Sequence, residues 1–243
     1  MRTAIVVGGA NGMGLAIAME LAKKRFVTIV DKVRPEIMLD NMAFVELDVT
    51  DSSYEVLDGI CDVDTLVITA GFGRLALFED ISEEEMVRQI QVNTIGPMRL
   101  IKRFYDRIAG KDAFYTTVMV SIAAFMSSPF FSTYAASKAA LRIFIETLNT
   151  ELSRTDTQNR LLNVSPGTFQ GSKFGGGTKN QLDLLAPLAQ KIIAAMYARK
   201  EIYIPQYNTI YKQVLERYQN DPVAEGLHSY DYKLERIRKS KQA

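Results

Sequence analysis

Short runs of β-branched and aliphatic residues recur along this chain, each stopped by a glycine, a proline or a polar residue, and segments of helical periodicity lie between them. Arg2 to Val7 ends at Gly8, Phe26 to Val30 at Asp31, and Ala43 to Leu47 at Asp48. Asp64 to Thr69 runs into Ala70-Gly71, Ala113 to Val120 into Ser121, and Arg160 to Val164 into Ser165-Pro166-Gly167-Thr168. Glu201 to Ile204 is stopped by Pro205. Runs of this length and composition predict strands in a well-buried sheet. Leu15, Ala18, Met19 and Ala22 repeat at helical spacing, so a helix begins near Gly12. Residues 32 to 42 are too short and mixed for a full crossover helix. Ser82 to Ile108 predicts one long helix with an inward stripe of Met86, Ile90, Asn93, Pro97, Leu100 and Phe104. Ser82 with Glu85 forms a capping box, which accounts for Glu83-Glu84-Glu85 without catalysis. Ala186 to Ala198 and Tyr207 to Tyr218 read as helices, the second ended by Asp221-Pro222. The tail after Tyr232 reads as a basic solvated end, with an interface or membrane-surface role as the alternative.

One helical stripe carries unexpected chemistry. Positions 134, 138, 141, 145, 148 and 152 share a face, and the last four are Leu141, Ile145, Leu148 and Leu152. The opposite stripe is Ala139, Arg142, Glu146, Asn149 and Ser153. Tyr134 and Lys138 therefore lie one turn apart on the face that points inward. An inward lysine is costly without a partner, and that cost suggests a site. Asn93 is the one polar side chain in its own inward stripe, for which a satisfied structural group is the plainer reading. Pro97 lacks the N–H that would bond the Asn93 carbonyl, so that oxygen is expected to be free for a water or an ammonium.

The first strand leads into Gly8-Gly9-Ala10-Asn11-Gly12-Met13-Gly14, a G-x-x-x-G-x-G loop that opens a helix. A tight turn, close backbone approach and a helix N-terminus together suit a pyrophosphate. Asp31, at the end of the second strand, can accept from ribose hydroxyls and repel a 2′-phosphate, which favours NAD over NADP. Lys32 and Arg34 weigh the other way. Strand, glycine turn, helix, strand and acid, repeated as alternating strands and helices, predict an α/β fold. Its form is a single-domain, Rossmann-type, doubly wound parallel sheet flanked by helices. Residues 1–205 would hold the nucleotide and catalytic sites, and 206–243 the C-terminal helix and basic tail of the same domain.

Composition narrows the class. The 243 residues are 47% apolar and 23% charged, with a net charge of +1, which leaves no basic footprint for nucleic acid. A single cysteine and a single histidine, Cys61 and His228, exclude an internal disulfide and the usual zinc sets. A carboxylate-only metal site has no motif behind it. Glycines interrupt the N-terminal apolar run, so it does not read as a signal peptide, and no stretch is apolar enough to span a bilayer. A soluble, cytoplasmic protein is expected. Five glycines between Gly167 and Gly177 make a loop that can close over a ligand or simply connect two elements.

Taken together, the Gly8–Gly14 loop, Asp48, Thr69-Ala70-Gly71, Asn93, Ser121, the Y-x-x-x-K of Tyr134 and Lys138, and Pro166-Gly167 resemble the short-chain dehydrogenase/reductase family over residues 1 to about 205. The resemblance implies Tyr134 as general acid/base, Lys138 on the nicotinamide ribose, Asn93 anchoring a relay water, and Ser121 holding the substrate oxygen. A lysine one turn away would lower the tyrosine's pKa toward neutrality. Cofactor contacts are implied for Gly8, Asn11, Gly12, Met13, Gly14, Asp31, Asp48, Val49, Ala70, Gly71, Tyr134, Lys138, Pro166, Gly167 and Thr168. Departures are Thr69, where the family usually has Asn, and Gly171, where a threonine is common and Thr168 would have to substitute. Phe125, Phe130, Phe131, Phe169 and Phe174, with Ala124, would make the substrate pocket apolar and favour a hydrophobic alcohol or ketone. A homodimer or homotetramer is implied. The competing readings are a non-catalytic nucleotide-binding regulator and an NAD-dependent epimerase or dehydratase.

Overall fold

The computed structural model describes residues 2–169, 171 and 181–240. Seven strands form one parallel sheet: β1 (Thr3–Val7), β2 (Phe26–Asp31), β3 (Met42–Glu46), β4 (Val63–Ile68), β5 (Tyr115–Met119), β6 (Leu161–Val164) and β7 (Ile202–Tyr203). Their order is β3-β2-β1-β4-β5-β6-β7. The connection direction reverses between β1 and β4, which pair in register from Ala4↔Thr65 to Val7↔Ile68. Loops leaving the C-terminal ends of these two strands diverge there and open a crevice. All seven strands were legible in the hydrophobic runs, to within two residues at most ends. No helix joins β2 to β3 across residues 32–41, as the short, mixed segment suggested.

Helices cover both faces. On one side α1 (Gly12–Ala22) and α6 (Leu182–Tyr197) pack around Ile17, Leu21, Ile29, Leu162 and Ile192. On the other side Leu100, Ile108, Leu141, Ile145 and Leu152 meet Ile5, Leu66 and Val118. Those five come from α3 (Gly96–Arg103), α4 (Tyr105–Ile108) and α5 (Ser132–Leu152). Among the described residues no helix is long and apolar enough to cross a membrane.

The expected single helix over 82–108 is broken. It begins as α2 (Glu83–Ile90), capped by Ser82, whose Oγ accepts from the Glu85 N–H at 3.2 Å. A π turn follows at Gln91–Ile95, closed by the Gly96 N–H donating to the Gln91 carbonyl. Pro97 then sits in the first turn of α3. There its missing donor costs nothing, and the wide turn absorbs the change in hydrogen-bond register. Phe104, outside helical geometry, separates α3 from α4.

Two expectations about polar positions fail for clear reasons. Asn149, assigned to the outer stripe of α5, is 3% exposed. Its Nδ2 donates to the Leu161 carbonyl and its Oδ1 accepts from the Leu161 N–H, both at 2.9 Å, so it ties the helix to the start of β6. Asn149→Leu is expected to lower unfolding free energy by about 2–4 kcal/mol by stranding both buried groups. The midpoint of urea unfolding measures this. The second failure is Asp221-Pro222, which starts a helix as well as ending one. After α7 (Lys212–Asn220), Asp221 Oδ1 accepts from Val223 and Ala224 N–H groups at 3.1 and 2.9 Å. Proline at the first helical position opens α8 (Pro222–Ser240). The supposed solvated tail therefore begins inside an ordered helix.

Candidate active site

The glycine loop fills the switch point between β1 and β4. Gly8 has φ +81°, and a Cβ there would lie 2.4 Å from the Ala70 nitrogen; one on Gly14 would lie 2.2 Å from the Gly8 oxygen. Both positions need glycine because backbone meets backbone. Thr69 takes up the departure from asparagine: its hydroxyl donates to the Val7 and Gly8 carbonyls at 3.0 and 3.1 Å and ties β4 to the loop. Met13 is buried in the core, so what it can offer a ligand is its backbone N–H, with those of Gly12 and Gly14 in the first turn of α1. A glycine cradle opening on the N-terminus of an eleven-residue helix fits a dinucleotide pyrophosphate.

Asp31 braces this cradle. Its Oδ2 accepts from the Ala10 N–H at 3.0 Å and its Oδ1 from the Val33 N–H at 3.3 Å. Arg34 lies over the Phe44 ring, 5.5 Å from its centroid. Asp48 caps its own turn, accepting from both the N–H and the hydroxyl of Thr50. Burial pushes its carboxyl up, but the Thr50 bonds and nearby Lys32 and Arg88 hold it below the usual range. Val49 is buried, and a Cβ on Gly96 would meet its side chain at 2.9 Å, so it seats the π turn against the end of β3.

The chemistry-bearing residues converge next to this cradle. Ser121, at the end of β5, caps a 3-10 turn at Ile122–Ala124, and its Oγ accepts from the Ala123 N–H at 3.2 Å. The Ile122 N–H donates to the Pro166 carbonyl at 2.9 Å, which fixes the β6 loop beside it. Tyr134 and Lys138, 7% and 3% exposed, occupy the inward face of α5. The Tyr134 hydroxyl is hydrogen-bonded to Ser121. Lys138 Nζ donates to the Met119 carbonyl at 2.9 Å and stands 5.9 Å from the Tyr134 ring centroid. It borders Gly71, where an added Cβ would lie 3.1 Å from both Lys138 Nζ and Asn93 Oδ1.

Electrostatics differ from the expectation at one point. Burial pushes the Tyr134 phenol up to about 12, opposed by its bond with Ser121. Burial also brings the Lys138 ammonium down to about 8. The lysine does not pull the phenol toward neutrality here, because its ammonium is turned to the Met119 carbonyl and loss of water dominates both groups.

Asn93 is fully buried, and its side chain is committed. Oδ1 accepts from the Phe72 N–H at 2.9 Å, while Nδ2 donates to the Phe72 carbonyl at 2.8 Å and to Ser137 Oγ at 3.0 Å. Any relay water at this residue would have to use its backbone. Sequence reasoning missed Phe72, Ser137 and Gly73. An added Cβ on Gly73 would lie 2.6 Å from the Tyr134 ring, so this glycine lets the loop after β4 cover the phenol. Its signal was a second glycine two positions beyond Gly71.

The phenylalanines separate. Phe131 packs on Tyr134, ring centroids 5.4 Å apart. Phe130 is buried against Tyr230 at 4.8 Å. Phe125 lies under Arg142 and packs on the core, and Phe169 packs on the core of the opposite face. Thr168 is exposed at the rim, and Phe174 lies outside the described residues.

A family profile described as short chain dehydrogenase matches residues 2–181. Human retinol dehydrogenase 8 is 29% identical over 226 residues, covering 80% of this chain and 73% of that protein. The crystal structure of an alcohol dehydrogenase from the archaeon Thermococcus sibiricus, complexed with 5-hydroxy-NADP, aligns with a TM-score of 0.69 at 26% identity. It covers 84% of this chain and 95% of that one. A short chain dehydrogenase/reductase from Burkholderia phymatum in complex with NAD has the same fold, with a TM-score of 0.76 at 16% identity over 91% of this chain and 96% of that one.

Proposed function

This chain belongs to the short-chain dehydrogenase family of NAD(P)-dependent oxidoreductases, and from that premise we propose that it moves hydride between NAD(H) and a hydrophobic alcohol or ketone, with Tyr134 exchanging the proton. The observation that carries this reading is the buried Tyr134 hydroxyl bonded to Ser121 beside a glycine cradle. Bound NAD(H) supplies the hydride chemistry. Gly8, Gly12, Gly14 and the α1 N-terminus would hold the pyrophosphate, Asp31 the adenosine ribose and Asp48 the adenine, with Val49, Ala70 and Gly71 lining the same cleft. Pro166, Gly167 and Thr168 would border the nicotinamide. Lys138 lies next to Gly71, where it would bind the nicotinamide ribose.

In the reductive direction Ser121 holds the substrate carbonyl and stabilises the charge that grows on its oxygen. Tyr134 then donates the proton. A phenol raised to about 12 carries that proton at neutral pH, as proton donation to a ketone requires. In alcohol oxidation the phenol must first ionise. The ionised fraction grows about tenfold per pH unit below the pKa, so oxidation should accelerate as pH rises while reduction stays level through neutrality. Equal pH slopes in the two directions would contradict this assignment.

Apolar substrates are favoured because Phe131 lies against Tyr134, and the retinol dehydrogenase relationship supports the same class. A panel of ketones and alcohols followed at the NADH absorbance band is expected to give turnover with apolar members and little with sugars or phosphorylated metabolites. The reverse ranking would overturn the substrate reading. Asp31 near the ribose favours NAD, so Asp31→Ala is expected to raise the NADP/NAD ratio of kcat/KM by about tenfold or more. An unchanged ratio would remove Asp31 as the selector. A homodimer or homotetramer belongs to the same reading.

A further inference from the structure

Helix α8 lies beyond the 2–181 span matched to the family, yet one of its faces docks on the turn that leads into the catalytic helix. Gly226, Tyr230 and Lys233 fall at i, i+4 and i+7, a single stripe on a helix. Each meets the turn in succession. A Cβ on Gly226 would lie 3.2 Å from Ser127 Oγ, so the backbones approach closely there. Tyr230 stacks on Phe130 with 28° between the rings. Lys233 Nζ donates to Ser128 Oγ at 2.7 Å and to the Pro129 carbonyl at 2.9 Å, and stands 5.4 Å from the Phe131 ring centroid. Near the start of α8, Glu225 is only 8% exposed and takes a two-pronged bond from Arg217 of α7 at 2.6 and 3.0 Å.

The turn itself needs holding. Phe130 has φ +64°, a left-handed conformation that a bulky side chain adopts only when its surroundings enforce it. Its carbonyl accepts from the Ala76 N–H at 2.9 Å, and the Phe131 N–H returns to the Ser128 carbonyl at 2.9 Å. Phe131 is the residue that enters α5 and packs on Tyr134. The acceptors of Lys233 are both neutral, and its ammonium is largely removed from water, which draws its pKa down to about 8. A group buried at that cost, on one stripe with Tyr230 and Gly226, is placed by more than chance surface packing.

We propose that Lys233 is a positioning residue: it clamps the Ser128–Phe131 turn, and through the Phe131 ring it fixes the Tyr134 phenol for proton transfer. This rests on the proposed role of Tyr134 but has a readout of its own. Hydrogen exchange by mass spectrometry on the full-length protein with NADH bound, comparing wild type, Lys233→Met and Lys233→Arg, reads the turn directly. Lys233→Met is expected to speed exchange in the peptide spanning Ser128–Ala136 by about tenfold, with the sheet peptides unchanged. It should also lower kcat on the best ketone by about tenfold or more, with the NADH Kd within about twofold, because small displacements at a reacting group are costly. Arginine retains donors for Ser128 and Pro129, so Lys233→Arg should recover most of both effects. Should Lys233→Met not fold, Ser128→Ala removes one acceptor and is expected to shift both readouts the same way, by about threefold. Unchanged exchange in this peptide, or faster exchange with unchanged kcat, would overturn the clamp. Loss of turnover on Tyr134→Phe tests the role of Tyr134 separately.

Discussion

Tyr134→Phe is expected to lower kcat by about three orders of magnitude while the protein binds NADH as before. General acid–base catalysis by a positioned side chain is worth about 10²–10⁴ in rate, and phenylalanine keeps everything else the tyrosine does. Its ring still packs on Phe131 and beneath Gly73, both of which touch the ring and not the hydroxyl. Among the described contacts, the bond with Ser121 disappears, and with it the transferable proton. NADH fluorescence titration should give a Kd within about twofold of wild type, since one hydroxyl facing the substrate oxygen adds little to cofactor affinity. Retained turnover would mean that another group moves the proton.

The second large effect falls on the cradle. Gly8→Ala forces a Cβ to within 2.4 Å of the Ala70 nitrogen and 2.7 Å of its Cα, at a residue with φ +81°. No flexible side chain is there to yield. Left-handed strain and backbone overpacking together cost about 3–4 kcal/mol, a fall in Tm of about 10 °C for a chain of this size. The wild-type protein should gain Tm on adding NADH, as any ligand specific for the native state requires, and the variant should gain none. A Gly8→Ala protein that melts with wild type and is still stabilised by NADH would mean that the Gly8 turn is not the pyrophosphate seat.

Much of this architecture could be read before the structure, for identifiable reasons. The strands are short runs rich in aliphatic and β-branched residues because parallel strands are covered on both faces, and glycines, acids and hydroxyls stand at their ends. The inward placement of Tyr134 and Lys138 followed from periodicity alone, since Leu141, Ile145, Leu148 and Leu152 fix the phase of α5. Long-range pairing was not legible. Nothing local distinguishes Asn149 as the partner of the Leu161 backbone, or Asn93 as the clamp on Phe72, because both bonds join segments distant in sequence. The π turn before Pro97 was hidden because a proline at a helix start and one inside a helix look alike in a short window.

Helix α8, beyond the expected C-terminal helix, was missed for a different reason. Asp221-Pro222 carries both a stop and a start signal, and residues such as Val223 and Leu227 remain exposed on α8, which weakens its apolar stripe. Its docking contacts are a glycine, a tyrosine and a lysine, none of which stands out as a core residue. The pKa of Tyr134 was also misjudged, because sequence places Lys138 one turn away but does not say where its ammonium points.

The reaction we propose is hydride transfer to a carbonyl carbon with the proton supplied by Tyr134. It is tested most directly by incubating the enzyme with NADH deuterated at the transferring C4 position and the best apolar ketone from the panel, then analysing the alcohol by mass spectrometry and NMR. One deuterium at the carbinol carbon, with the hydroxyl proton exchanging from water, is the predicted result. Product carrying no deuterium at that carbon, or label retained in the cofactor while substrate is converted, would contradict it.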